Sequence, residues 1–177
     1  DAGWQLGATG DNATTGLWIR DDPVGTWYGT LPVQPEDDHT PNPGVKCFVT
    51  GNGPVGGTPG GDDVDYGCTT VRSPIFDLST MQQAFVGYWR WYGMYGVGSD
   101  DTWAVDVSND GGNTWAPLER VSENRAYWQK VSIDLNSIIT LTNQMVFRFQ
   151  ACDLGNPGLI EAAFDDFSIE TFAPDLS

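Results

Sequence analysis

Short apolar runs broken by Gly, Pro, Asn and Asp recur along the whole chain, while the three-to-four spacing of an amphipathic helix is nearly absent. The runs lie at 16–20, 45–50, 68–76, 84–92, 102–108, 127–135, 145–152 and 161–170. Many short strands at such intervals imply an all-β sandwich or barrel. Only 136–145 has room for a turn or two of helix. Alternation is clearest in "TWAVDVS" (102–108), where Trp103, Val105 and Val107 share one face and Ala104, Asp106 and Ser108 the other. The chain shows no internal repeat and no shift of composition, so a single domain over 1–177 is expected, with 171–177 as a linker or tail. The opening Asp1-Ala2-Gly3-Trp4 reads as a mature N-terminus or a piece cut from something longer.

Charge narrows the function classes. With 24 Asp and Glu against 8 Lys and Arg, the net charge of −16 repels nucleic acid and anionic lipid. No apolar run is long enough for a membrane-spanning helix. Acids that merely solvate a surface scatter, whereas acids that bind a hard cation cluster. Clusters stand in two long loops, 21–44 and 51–66: Asp21-Asp22, Glu36-Asp37-Asp38, and Asp62-Asp63 with Asp65. Loops of this length in a compact fold usually carry function or hold an ion.

Cys47, Cys68 and Cys152 have no CxxC spacing, and His39 is the only histidine, which excludes a zinc site or a Cys-His nucleophile. At most one internal disulfide is possible. Cys47 and Cys68 sit in strand-like segments joined by a Gly-rich loop and are the expected pair.

Two motifs stand out. "SNDGGNTW" (108–115) fits Ser-x-Asp-x-Gly-x-Thr-Trp and resembles the Asp-box of sialidase propellers. A propeller would repeat it. One copy reads as a hairpin turn in which Asp110 accepts backbone amides and Trp115 packs beneath. "AAFDDFSI" (162–169) puts Ala163, Asp165, Phe167 and Ile169 on one face by alternation and Phe164, Asp166 and Ser168 on the other. A carboxylate on an apolar face needs a cation or several donors, which singles out Asp165. A strand end where both acids reach water is the alternative.

The ordered set "DDHTPNPG" (37–44), "CFVTGN" (47–52), "VRSPIFDLS" (71–79), "GYWRWYGMYG" (87–96) and "AAFDDFSI" (162–169) resembles the MAM (meprin-type) family and the related cleaved-adhesin modules of secreted bacterial proteins. The resemblance covers most of the chain. It implies a jelly-roll β-sandwich of two antiparallel sheets with a structural calcium ion near the N-terminal edge. On this sequence the implied ligands are Asp38 and Asp165, with Asp11 and Asp166 as additions. The family's cysteine framework is not reproduced, and "GDNATTG" (10–16) stands where the family has a Phe-Glu start.

Matched to the family's aromatic strand, Phe85, Gly87, Trp89 and Trp91 face the core, and Val86, Tyr88, Arg90 and Tyr92 face outward. Tyr88 and Tyr92, with Arg90, are then candidates for stacking on a glycan. Trp27-Tyr28 in the first long loop is a second candidate, or else the loop's own small cluster. There is no Gly-x-Ser-x-Gly, metalloprotease helix or phosphate loop, so the expectation is not an enzyme. It is a non-catalytic accessory or adhesion module of a larger secreted or cell-surface protein, binding a glycan or an extracellular protein and stiffened by calcium. The alternatives are a purely structural spacer and a glycoside-cleaving jelly roll using paired carboxylates.

Overall fold

The structure is a computed structural model and describes residues 3–96, 100–156 and 158–172. Its strands are β1 (Gln5–Leu6), β2 (Trp18–Asp21), β3 (Thr26–Tyr28), β4 (Leu31–Gln34), β5 (Cys47–Thr50), β6 (Gly67–Arg72), β7 (Gln83–Tyr95), β8 (Thr102–Ser108), β9 (Ala116–Val121), β10 (Arg125–Asp134), β11 (Val146–Asp153) and β12 (Leu159–Phe172). Among the described residues the one helical element is a 3₁₀ turn at Leu135–Ser137. The front sheet runs β1-β6-β11-β8-β9 and the back sheet β10-β7-β12-β5-β2, every pairing antiparallel. This is the two-sheet jelly roll expected from the sequence. The hairpin β3–β4 forms a small separate sheet.

Each apolar run of the sequence contributes a strand; β1, β9 and the β3–β4 hairpin lie where no strand was expected. Thr171 and Phe172, expected to belong to a linker or tail, pair instead with Ala84 and Gln83 of β7. Residues 173–177, like Asp1 and Ala2, lie outside the described residues.

The core is aromatic. Phe164 of β12 is sandwiched between Phe48 of β5 (4.8 Å, near-parallel) and Phe149 of β11 (4.0 Å), with Trp18 and Trp103 edge-on to the stack. Offset stacks and edge contacts of this kind contribute beyond area burial, roughly 0.5–1.5 kcal/mol a pair. The single Asp-box is a hairpin turn: the Asp110 carboxylate accepts from the Asn113 and Thr114 amides and from Thr114 Oγ1, and Gly111 and Gly112 adopt positive φ. Trp115 is overlaid by the Arg148 guanidinium at 4.4 Å.

Strand β7 faces the opposite way from the expectation. Tyr88, Arg90 and Tyr92 point into the sandwich at 1%, 2% and 0% exposure, so none of them can stack on a glycan. Trp89 and Trp91 lie on the outer side of the back sheet. They remain half-buried because the 21–44 loop folds over them: His39 lies flat on Trp89 at 3.6 Å, and Trp91 Nε1 donates to Val33 O at 2.6 Å. Tyr88 and Arg90 on the inward face join an internal polar network, while the Tyr92 hydroxyl has no partner. Arg90 and Tyr88 both donate to Glu119 of β9, and Arg90 also donates to Gln129 of β10.

The disulfide also differs from the expected pair. Cys68 joins Cys152, its directly opposed partner across β6 and β11. Cys47 is a free thiol on the outer side of the back sheet, buried with Val49 and Ala163 beneath Ile19, Trp91 and Trp128. Burial pushes its pKa far up, so it is unreactive.

Candidate functional site

Two regions bring the sequence's candidate residues together: the terminal strand's acidic pair and the tip of the β3–β4 hairpin.

The acidic pair sits on a bulge. Asp166 has a positive φ of 51°, and the β12–β7 register slips between Asp165 and Ser168. That slip turns both Phe164 and Phe167 toward the core, which simple alternation forbids, and presents both carboxylates to the 37–40 segment. Asp165 Oδ2 accepts from the His39 and Thr40 amides and from Thr40 Oγ1. Asp166 Oδ1 takes Thr40 Oγ1 at 2.6 Å, and Asp166 Oδ2 meets His39 Nδ1 at 2.8 Å. Burial works to raise the Asp166 pKa, but the Thr40 and His39 contacts outweigh it and the net shift is downward. Trp128 Nε1 fixes the same segment by donating to Asp37 O.

Asp38 is near both carboxylates. Its own pKa is raised, first by burial and then by Asp165 and Asp166. Its Oδ2 is buried without a hydrogen-bond partner. Beside it opens a cavity of about 540 Å³ walled by Trp4, Phe48, Phe164 and Phe167, with Arg20 and Lys46 at its margin. The structure therefore gathers Asp38, Asp165 and Asp166. It does not gather Asp11, whose carboxylate accepts from the Ala8 and Thr70 amides and Thr70 Oγ1, pinning the N-terminal segment to β6. Among the described residues no three His, Cys, Asp or Glu side chains are grouped as a metal-binding cluster.

The hairpin tip is the other region. Trp27 is 46% and Tyr28 62% exposed, and Leu31 beside them is 50% exposed. Tyr28 stacks on Tyr95 at the end of β7, with ring centroids 6.0 Å apart and planes 29° apart. Tyr95 Oη donates to Pro32 O, which fixes the ring pair to the hairpin base. Gly93 lets the hairpin approach: a Cβ there would lie 2.2 Å from Val33 O. Tyr95 was not singled out by sequence reading; its position at the end of the aromatic run, beside a Gly, was the available signal.

No protein-family model matches the chain, and no curated protein matches it in sequence. Solved structures do match. The chain superposes on the carbohydrate-binding module TmCBM61, determined in complex with β-1,4-galactotriose, with a TM-score of 0.55 and 11% identity over 96% of this chain and 89% of that one. A cleaved adhesin domain of Lys-gingipain from Porphyromonas gingivalis gives 0.52 and 14%, covering 96% and 91%. The enzymatically active domain of tailspike protein 4 of bacteriophage CBA120 gives 0.53 and 9%, covering 97% of this chain but 20% of that one. What is shared is the jelly roll. At these identities the likeness is one of fold, and the resemblance to the MAM family remains one of motifs.

Proposed function

We propose that this jelly roll is a non-catalytic binding module of a secreted or cell-surface protein, and that it holds a glycan against Trp27, Tyr28 and Tyr95. The observation that carries this is the Tyr28–Tyr95 stack at the hairpin tip, in which Tyr28 is exposed and Tyr95 half-buried, with the exposed Trp27 next in the chain. Flat, half-fixed rings offer apolar faces to sugar C–H groups with little side-chain entropy left to lose. The same fold in TmCBM61 carries a galactotriose, and an adhesin of similar fold belongs to a larger bacterial protein. The Cys68–Cys152 bond fits an oxidising compartment.

The non-catalytic part of the reading rests on the terminal carboxylates. Asp165 and Asp166 already accept donors from His39 and Thr40. A glycosidase needs two carboxyl groups open to opposite sides of a sugar ring. Structural calcium belongs to the same proposal: Asp38, whose Oδ2 is unpartnered, lines one cavity with Asp165, and that pair with carbonyl or water oxygens suits a hard cation.

A glycan array followed by affinity electrophoresis tests the binding. Retardation by a polysaccharide that disappears in Trp27→Ala and Tyr28→Ala supports the platform; retention unchanged in both variants rejects it. Added calcium should raise the melting temperature by an amount that follows ligand concentration, and Asp38→Asn should reduce that rise.

A further inference from the structure

At the end of β8 and β11 the chain sets two acids directly against each other. Cys152 pairs with Thr102 in the β11–β8 register, so Asp153 and Asp101 occupy the next opposed positions. They are 2% and 1% exposed. Like charges opposed across strands repel, and buried carboxylates normally meet a cation or enough donors. Each has one oxygen satisfied: Asp101 Oδ1 accepts the Leu154 amide at 2.8 Å, and Asp153 Oδ1 the Gly158 amide at 3.3 Å. The other oxygen of each, Asp101 Oδ2 and Asp153 Oδ2, is buried and unpartnered.

A third unpartnered oxygen is buried on the facing sheet. Tyr92, fully buried on β7 of the opposite sheet, has a phenol oxygen with no partner. Its pKa is raised first by burial and then by the charges of Asp101 and Asp153. Gly158 closes over them, its Cβ position 2.8 Å from Asp101 Oδ2. Asp63, also buried, adds negative charge while spending its Oδ2 on the Ile160 amide. Among the described residues, no ion pair reaches Asp101 or Asp153.

We infer that Asp101 Oδ2, Asp153 Oδ2 and the Tyr92 hydroxyl form a second hard-cation site, for calcium, tying β8 and β11 of the front sheet to β7 of the back sheet. All the donors are oxygen, which selects calcium or magnesium over thiophilic metals. Two carboxylates with a hydroxyl leave the remaining positions to carbonyl and water oxygens, which the flexible calcium shell accepts more readily than the rigid magnesium octahedron. This site shares no residue with the Asp38–Asp165 pair and does not depend on the glycan reading.

Terbium, a calcium mimic whose emission is excited through nearby aromatic rings, provides the test on the intact chain. Wild-type protein should bind terbium saturably, with calcium displacing it. Asp101→Asn and Asp153→Asn should each weaken binding at this site at least tenfold, and Tyr92→Phe should weaken it several-fold, while Asp38→Asn leaves the site intact. Melting in chelator guards against misfolding: the Asn variants should melt at or above the wild-type temperature, because each removes a buried repulsion, and should gain less from added calcium than wild type does. Absence of terbium binding by the wild type overturns the inference. So does binding unaffected by Asp101→Asn and Asp153→Asn, or lost only in Asp38→Asn.

Discussion

Arg90 Nε donates to Glu119 Oε1 at 3.2 Å across the two sheets, with the Arg90 side chain 2% and the Glu119 side chain 16% exposed. Glu119 Oε2 also accepts from Tyr88 Oη at 2.9 Å and from Trp103 Nε1 at 2.7 Å. One carboxylate therefore satisfies three inward-pointing donors of an aromatic core. Glu119→Ala should cost about 3–5 kcal/mol, because it strands a buried guanidinium. Arg90→Met should cost less, since Glu119 keeps two neutral donors and some contact with water. Urea denaturation of both variants measures the asymmetry, and equal costs would contradict this account.

Gly93 is where the hairpin meets the back sheet. A methyl group there would collide with the Val33 carbonyl, which accepts the Trp91 indole N–H. Gly93→Ala should destabilise by roughly 1–3 kcal/mol, as overpacking does, and should lift the hairpin from β7. Because Tyr28 leans on Tyr95 across the same junction, glycan retardation should weaken along with stability. Amide exchange in β4 measured beside affinity electrophoresis checks the coupling.

The disulfide gives a prediction that separates the two possible pairings. It closes a separation of 84 residues, for which the chain-entropy account gives about 4–5 kcal/mol. Reductant should lower the melting temperature of wild type and of Cys47→Ala alike. The Cys68→Ala/Cys152→Ala double variant should melt low and ignore reductant. Loss of reductant sensitivity in Cys47→Ala would instead favour a bridge to Cys47.

These tests bear on the parts of the molecule that sequence spacing left undecided. The strands were legible because Val, Phe and Trp alternate between turn residues, and the Asp110 turn because its local chemistry is self-contained. The facing of β7 was not. Val86, Tyr88 and Tyr92 make one parity as apolar as Phe85, Trp89 and Trp91 make the other, and the decision lies with a hairpin from a distant loop that covers the second set. The acidic pair was legible as a site, but its bulge was not, since it depends on Asp166 adopting a conformation that non-glycine residues rarely take. Asp101 and Asp153 are 52 residues apart in number and become neighbours only through the β8–β11 register.

Glu161 supplies the pH dependence. It is 2% exposed and accepts from Thr26 Oγ1 at 3.2 Å, while its Oε2 has no partner. Burial raises its pKa from 4.5 to about 8, opposed by the Thr26 contact and helped by Asp63 and Asp62. The folded chain thus keeps this proton up to a pH of about 8, whereas the unfolded chain releases it near 4.5. Stability from this group is fully present below the lower value and is lost as pH rises toward the upper one. Glu161→Gln keeps an acceptor for Thr26 and carries no charge to bury. It should match wild type in acid, melt higher than wild type above pH 8, and flatten the intervening slope. Melting curves of the two proteins across that range decide it; parallel curves would mean that Glu161 is ionised in the fold and held by a partner.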